Sequence, residues 1–370
     1  MRTLHIRRLG RVEYADGLAA QKLLVEARAK DLIPDTLLLL EHPRVITLGR
    51  GAKAQNILWS PAQLATKGYE VHETDRGGDV TYHGPGQLVG YPILDLKPDR
   101  KDVRRYVASV EELMIRVAKS YGLEAGRVPG RVGIWTAAGK LGAIGVHIAR
   151  WITSHGFAFN VHNDLDDFSA IVPCGLAGAG VASLESLLGS APPVAEVEQR
   201  FAATAAQIWE SDAFELPAEL RTVSVTMVRE DGRVLLMERS QDRGGFWQIL
   251  TGRIEQGESP LAAAAREIHE ETGYAPRLEE VRELGYAHSF AWGDRSPPLF
   301  AHETSFVLKL PEAAPEPVLS DEHVSHEWCT PEEAQRRVPF AGLRRAIQLA
   351  TQRDQAPGPR PAARSPKPAL

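Results

Sequence analysis

The sequence predicts an α+β protein of two domains, and three observations predict it. Up to about residue 190, short apolar segments alternate with glycine-rich turns around one helix-spaced stretch. Between about 190 and 220 the texture changes to a proline-started helix and a connector holding Pro217. A new strand and hairpin then begin, and the length of 370 residues suits roughly two cores.

In chain order, Asp35–Leu40 and Val45–Leu48 are short runs of the kind that form buried strands. Val107, Val110, Leu113, Met114 and Val117 recur at helical spacing and predict a helix over Val103–Tyr121. Val223–Val228, the turn Glu230-Asp231-Gly232 and Val234–Met237 predict a hairpin, so a second domain starts near 218. The expected boundaries are 1–215, 218–352 and a tail of 356–370. That tail is rich in proline and basic residues, cannot bury a core and is expected to be disordered.

Composition limits the function classes. With 43% apolar and 25% charged residues the chain has the make-up of a soluble protein. A net charge of −5 argues against a broad nucleic-acid surface. Two cysteines far apart, Cys174 and Cys329, make no disulfide framework and suit a reducing compartment. No signal-like or membrane-spanning apolar run is present, so a cytoplasmic location without a membrane partner is expected.

The clearest chemistry lies in 252–273. Ser259 suits an N-cap, Pro260 the first helical position and Gly273 the stop. Between them Glu267, Glu270 and Glu271 fall at i, i+3 and i+4 on one helix face. Leu261, Ala264, Ala265 and Ile268 spread over the other side. Crowded carboxylates repel unless a cation sits among them, and Mg²⁺ favours such oxygen donors. The alternative is a solvated acidic face in which Arg266 pairs with Glu270.

This run resembles the Nudix box, G-x5-E-x7-R-E-U-x-E-E-x-G-U, at every fixed position, with Tyr274 where the family usually has an aliphatic residue. The resemblance implies a Nudix α/β/α sandwich that hydrolyses a small nucleotide-like substrate, a nucleoside diphosphate linked to another moiety, with Mg²⁺ or Mn²⁺. It implies metal binding by Glu267, Glu270 and Glu271, with Glu267 or a distal glutamate as base and Glu258 and Arg266 as supports. Phe246–Gly252 and Leu319–His323 are similar to the dihydroneopterin triphosphate pyrophosphatase branch. That adds Glu322 as a metal ligand and Arg239 and Trp247 at the substrate, although Trp247 fits a core position equally well. Cys329 lacks companion ligands and reads as a packing residue.

Three segments stand out earlier: RGGDVTYHGPGQLVGYPI at 76–93, GKLGAIGVH at 139–147 and TSHGFAFNV at 153–161, followed by IVPCGLAG at 171–178. Their glycines let backbone N–H groups approach a ligand. A buried Lys140 would stabilise a nearby thiolate, whereas an exposed one is an ordinary surface lysine. His147, His155 and His162 lack the paired spacing of a structural zinc site. Taken together with Glu41-His42-Pro43 and Leu48-Gly49-Arg50, these segments resemble the lipoate–protein ligase B family of octanoyltransferases from about Thr36 to Leu187. His147 stands where many relatives carry arginine.

That resemblance implies a biotin/lipoate-protein-ligase-like mixed sheet with helices and cysteine acyl transfer without a cofactor. Cys174 would take octanoyl from acyl carrier protein, and a lysine on the apo-lipoyl domain of a 2-oxoacid dehydrogenase complex or the glycine cleavage H protein would receive it. Lys140 would lower the Cys174 pKa. The substrate-binding positions carried over are Arg76, Gly77, Gly78, Asp79, Val80, Thr81, Tyr82 and His83, then Ala143, Ile144 and Gly145, then Gly156, Phe157 and Ala158. The chain is thus expected to be bifunctional. The alternative joins an ATP-dependent lipoate or biotin ligase to a nucleotide-sensing Nudix module without catalysis.

Overall fold

The structure, a computed structural model, describes residues 2–172, 180–292 and 297–352. Cys174 and the proline-rich tail lie outside the described residues. In chain order the first elements are β1 (Arg2–Arg11), α1 (Tyr14–Ala29), β2 (Asp35–Glu41), β3 (Val45–Leu48), α2 (Pro61–Thr66), β4 (Glu70–Glu73), β5 (Val80–His83) and β6 (Gln87–Ile93). They continue as α3 (Val103–Ser120), β7 (Gly126–Val128), β8 (Arg131–Thr136), β9 (Gly139–Ala149), β10 (Ile152–Asn160), α4 (Leu184–Leu188), α5 (Val194–Ile208) and β11 (Ser211–Glu215).

Eight of these strands form a mixed sheet in the order β11-β1-β2-β6-β10-β9-β8-β7, and β4-β3-β5 form a small second sheet. β1 runs parallel to both β11 and β2, and β6 is antiparallel to β2 and β10. The four leucines of β2 show why an uninterrupted apolar run is a strand here. Leu37 and Leu39 join the core under α3 and α5, while Leu38 and Leu40 join the core under α1. Both faces are covered, so each side chain is buried whichever way it points. α3 follows the expected apolar stripe, and Asp102 caps it through the Arg105 N–H at 3.0 Å.

The later elements are β12 (Leu220–Arg229), β13 (Val234–Arg239), β14 (Trp247–Gln248), β15 (Leu250–Arg253) and α6 (Pro260–Thr272). β16 (Val281–Trp292), β17 (Leu299–Leu310), β18 (His323–Cys329), α7 (Pro331–Arg337) and α8 (Ala341–Thr351) complete them. β14-β13-β12-β17-β16 form the backbone of a seven-stranded sheet, with β15 on β12 and β18 on β13. Its β12 and β13 side chains alternate between a core with α6 and a core with α7 and α8, which is the expected α/β/α sandwich. The backbone divides into two compact units, Met1–Thr222 with Ala287–Glu303 and Val223–Tyr286 with Thr304–Leu370. No helix among the described residues is long and apolar enough to cross a membrane.

Phe201 on α5 is fully buried and stacks on Phe157 at 5.0 Å and edge-on to Phe159 at 5.2 Å. Phe201→Ala should therefore destabilise the first unit by about 3–5 kcal/mol, read as a lowered urea midpoint. An unchanged midpoint would contradict the packing described.

Candidate functional site

The 76–83, 143–145 and 155–158 segments meet around one cavity because β9 and β10 pair in a fixed register. Gly145 stands opposite Gly156, Ile144 opposite Phe157 and Ala143 opposite Ala158. Arg76, Gly78, Asp79, Val80, Thr81 and His83 line the same cavity from the small-sheet side. A Cβ on Gly145 would come within 3.0 Å of the Arg76 side chain and the Gly77 carbonyl, so glycine is what allows this approach. The Gly77 N–H donates to Val146 at 2.9 Å and closes it.

Two of the expected contact residues turn elsewhere. Tyr82 alternates away from the cavity, is fully buried and donates its hydroxyl to Asp167 at 2.5 Å. Gly77 contributes the backbone bond just described. Asp79 keeps its place on the cavity, but its carboxylate accepts from Val80 N–H at 2.7 Å and Asn56 Nδ2 at 2.6 Å. Tyr14, Tyr91 and His155 also line the cavity and were not among the expected contacts. Tyr91 lies on the same strand face as Val89, a signal available from period-two alternation; Tyr14, on a distant helix, gave none.

Arg76 is buried and donates from Nη2 to the Thr47 carbonyl at 2.7 Å and from Nε to the Thr47 hydroxyl at 3.1 Å. Its charge contributes to an unusual imidazole. Burial, then His42 and Arg76, push His83 down to about 3, so the ring is neutral near pH 7. Its tautomer follows from a chain of amides. Asn160 Nδ2 donates to Ala182, so Asn160 Oδ1 accepts from Gln87 Nε2 at 3.0 Å. Gln87 Oε1 is then the acceptor facing His83 Nδ1 at 2.8 Å, and the lone pair of His83 lies at Nε2.

Lys140 is 8% exposed, with its ammonium 5.3 Å from the Trp135 ring centre. This is not the solvated lysine of the surface alternative. Its backbone N–H donates to Gly180 at 2.9 Å, and its carbonyl accepts from Ala182 at 3.0 Å. On the other side of the 173–179 segment, Val172 N–H donates to Asn56 at 2.8 Å.

In the second unit, Ser259 caps α6 at Ala262 N–H and Gly273 ends it in the left-handed region, as the sequence indicated. Glu267 and Glu271 are buried on the sheet side, which rules out a wholly solvated acidic face. Arg266 forks onto Glu258 with two 3.0 Å bonds and also reaches Glu267 and Glu270 at 2.9 Å each. Burial lifts the Glu267 carboxyl above its ordinary value against the pull of Arg266. Burial also pushes on Glu271, but His323 at 2.9 Å and the Ser320 hydroxyl hold it below its ordinary value.

Glu322 pairs with Arg239 at 3.0 Å and Arg243 at 2.6 Å. Trp247 packs against the α7–α8 core beneath the Arg337 guanidinium at 3.9 Å. Cys329 is buried in the same core, as expected. Among the described residues, the group of donor atoms within metal-binding reach of one another is Glu327, Cys329 and Glu333, not the helix glutamates. The helix carboxylates nonetheless suit a divalent cation. They offer hard oxygen donors, and a Cβ on Gly252 would overlap the Glu267 carboxyl, so the β15 backbone leaves a cradle for it.

A glycine-lined cavity on a mixed sheet and a carboxylate helix on an α/β/α sandwich define two enzyme classes in one chain, an acyl-handling ligase or transferase and a Nudix hydrolase. Residues 13–206 match the lipoyl protein ligase A/B catalytic domain and residues 219–348 the NUDIX domain, and the chain belongs to the lipoyl protein ligase A/B family with a NUDIX domain attached. It is 50% identical over 360 residues to an octanoyltransferase of Myxococcus xanthus, covering 95% of this chain and 100% of that one. An octanoyltransferase of Acidobacterium capsulatum is 54% identical over 195 residues, covering 49% of this chain and 79% of its own. The solved Escherichia coli dihydroneopterin triphosphate pyrophosphohydrolase is 26% identical, covers 36% of this chain and 96% of its own, and aligns with a TM-score of 0.33.

Two outcomes follow from the carboxylate geometry. Gly252→Ala should displace the Glu267 side chain from Cγ outward and weaken Mn²⁺ binding measured by electron paramagnetic resonance. Equal Mn²⁺ affinity in both proteins would refute the cradle. A carboxyl raised by folding destabilises as it ionises, so the wild type should lose more stability than Glu267→Gln between about pH 4 and pH 7. Melting in chelator at each pH checks this; parallel curves would contradict it.

Proposed function

We propose that the first unit transfers an octanoyl group from acyl carrier protein to a lipoyl-domain lysine through a thioester on Cys174. The observation that carries this reading is the backbone pairing of Lys140 with Gly180 and Ala182, just beyond IVPCGLAG. A buried lysine is thereby tied to the chain that leads out of the cysteine segment, as Asn56 is tied to the chain leading in. The full-length likeness to an octanoyltransferase supports the same donor.

The Cys174 thiolate attacks the donor's thioester carbonyl, forming a new C–S bond. The old C–S bond breaks and the carrier leaves as a thiol after taking a proton. The acceptor's neutral ε-amine then attacks, a C–N bond replaces the Cys174 thioester, and the new amide nitrogen sheds its extra proton. Lys140 favours the thiolate by its charge. Arg76, on the cavity wall, lends positive charge where negative charge develops on the carbonyl. Neutral His83 presents an acceptor rather than a second cation. The reading requires no cofactor in this half.

In the second unit, Glu267, Glu270, Glu271 and Glu322 would hold Mg²⁺ or Mn²⁺. The cation would neutralise substrate phosphates and acidify a bound water. Arg266 orients Glu267 and Glu270, His323 and Ser320 orient Glu271, and Glu267 accepts a proton at its carboxylate. Arg239 borders the substrate, a compound with a nucleoside-diphosphate-like linkage, whereas Trp247 is a packing residue of the α7–α8 core.

Mass spectrometry of the protein mixed with octanoyl carrier and no acceptor should show one octanoyl adduct, absent in Cys174→Ser. ATP-dependent transfer by Cys174→Ser would overturn the thioester route. Glu271→Gln should lower pyrophosphohydrolase turnover by about 10²-fold or more while leaving octanoyl transfer intact. Equal nucleotide turnover by variant and wild type would overturn the hydrolase assignment.

A further inference from the structure

His155 lines the cavity from β10 and has no part in the thioester route. It is buried, and its backbone sits at φ 54°, in the left-handed region that residues with a side chain rarely adopt. Such a conformation persists only where its surroundings hold it. Two bonds do so here: the His155 N–H donates to Gln21 Oε1 at 2.6 Å, and the ring Nε2 donates to Asp75 Oδ1 at 2.7 Å. A carboxylate only accepts, so the proton of the neutral ring sits on Nε2 and its lone pair on Nδ1. Nδ1 has no hydrogen-bond partner among the described residues.

The carboxylate behind the ring is itself held. Arg50 Nη2 can only donate, so at 3.0 Å it fixes the His147 lone pair at Nδ1 and leaves the His147 N–H at Nε2, 3.6 Å from Asp75 Oδ2. Burial pushes the Asp75 carboxyl up, but His155 and His147 hold it below its ordinary value, so it is ionised near pH 7. Burial pushes His155 below the ordinary histidine value, Asp75 pulls it back, and Arg76 and His147 push it down again. The ring is therefore neutral near pH 7 with an anion behind it. Its other neighbours are uncharged there: His83, Gln21 and Tyr91, the last edge-on at 6.4 Å. His83 is a different kind of imidazole. Its Nδ1 faces the Gln87 amide, and at about 3 it is too weak a base to keep a proton.

We propose that His155, oriented by Asp75, is the base that takes a proton from the acceptor's ε-ammonium in the second half of the transfer. The inference rests on the thioester reading above. At pH 7 only about one lysine in a few thousand is neutral, so the acceptor arrives as an ammonium that cannot attack. Lys140 is already committed as the cation beside the thiolate. One ammonium proton passes to His155 Nδ1, and the lone pair it leaves forms the C–N bond to the thioester carbonyl. The C–S bond breaks, Cys174 departs as the thiolate, and the nitrogen gives its second surplus proton to water. The imidazolium, beside the Asp75 carboxylate, then returns its own proton to water, which reaches Asp75 because that side chain is 59% exposed. His155 is thus catalytic and Asp75 a positioning residue.

The test separates the two halves of the reaction in the full chain. His155→Gly suits a φ of 54° and so keeps the backbone. Mixed with octanoyl carrier and no acceptor, it should form the octanoyl adduct at the wild-type rate. Transfer from the preformed adduct to a lipoyl domain at pH 7 should fall about 10²-fold, and added imidazole should restore part of it. Hydroxylamine, an amine already neutral at pH 7, should cleave the adduct equally in both proteins. Between about pH 7 and pH 9 wild-type transfer should stay level, because neutral His155 and the acceptor ammonium are both abundant there. In His155→Gly it should climb about tenfold per pH unit with the free amine. Asp75→Asn should lower transfer but not adduct formation, and should move the rising limb of the pH profile to lower pH, since the imidazolium loses its anion. Equal transfer by His155→Gly and wild type would overturn the proposal, as would an equal loss of adduct formation or of hydroxylamine cleavage. No adduct on the wild type would overturn the thioester reading and the base with it, whereas an adduct with unchanged transfer would remove the base alone.

Discussion

The first unit depends on the joint that Arg76 and Gly77 make between its two sheets. Arg76 is anchored on Thr47 of the small sheet, and Gly77 is bonded to Val146 of the large one. The Arg76 side chain packs closely on Gly145 and Gly49, neither of which has a side chain to displace it. One buried cation therefore both fixes the cavity wall and sets its electrostatics, helping to keep the nearby imidazoles of His83 and His155 below their ordinary pKa. Burial is the larger cause in both rings, so these imidazoles are neutral near pH 7 and Arg76 is a fixed positive charge beside them. A fixed charge in that place polarises an acyl carbonyl.

The second unit manages the opposite charge. Glu267 and Glu271 are drawn under the sheet rather than left in water, and each is held differently. Arg266 compensates Glu267 incompletely, so burial prevails, whereas His323 and Ser320 more than compensate Glu271. The helix thus carries one carboxyl that resists ionisation and one that favours it, a division suited to separate roles in proton transfer and charge holding.

Much of this was legible in the sequence, for reasons particular residues make plain. The α6 boundaries could be read because Ser259, Pro260 and Gly273 act locally. The register of Gly145 against Gly156 could not, since pairing between strands leaves no trace in either strand alone. Tyr82 shows the limit of carrying a run of contacts over from a family: strand alternation turned it toward Asp167. Tyr14 reaches the cavity from the start of α1, a long-range placement that spacing could not reveal. The role of Asp79 was likewise hidden, because its partner Asn56 lies 23 residues away.

The order of strands in the large sheet also bears on how the chain is made. β1 leaves the ribosome about 200 residues ahead of its outer neighbour β11, Ser211–Glu215. At ordinary rates of synthesis β1 waits on the order of ten to forty seconds for that partner. Until then its outer edge is a row of unpaired amides and carbonyls, open to another nascent chain. β11 itself is exposed along most of its length and adds little to the core. Its principal contribution is to close that edge, so a chain cut between α5 and β11 would keep its cavity residues and lose its protection against aggregation.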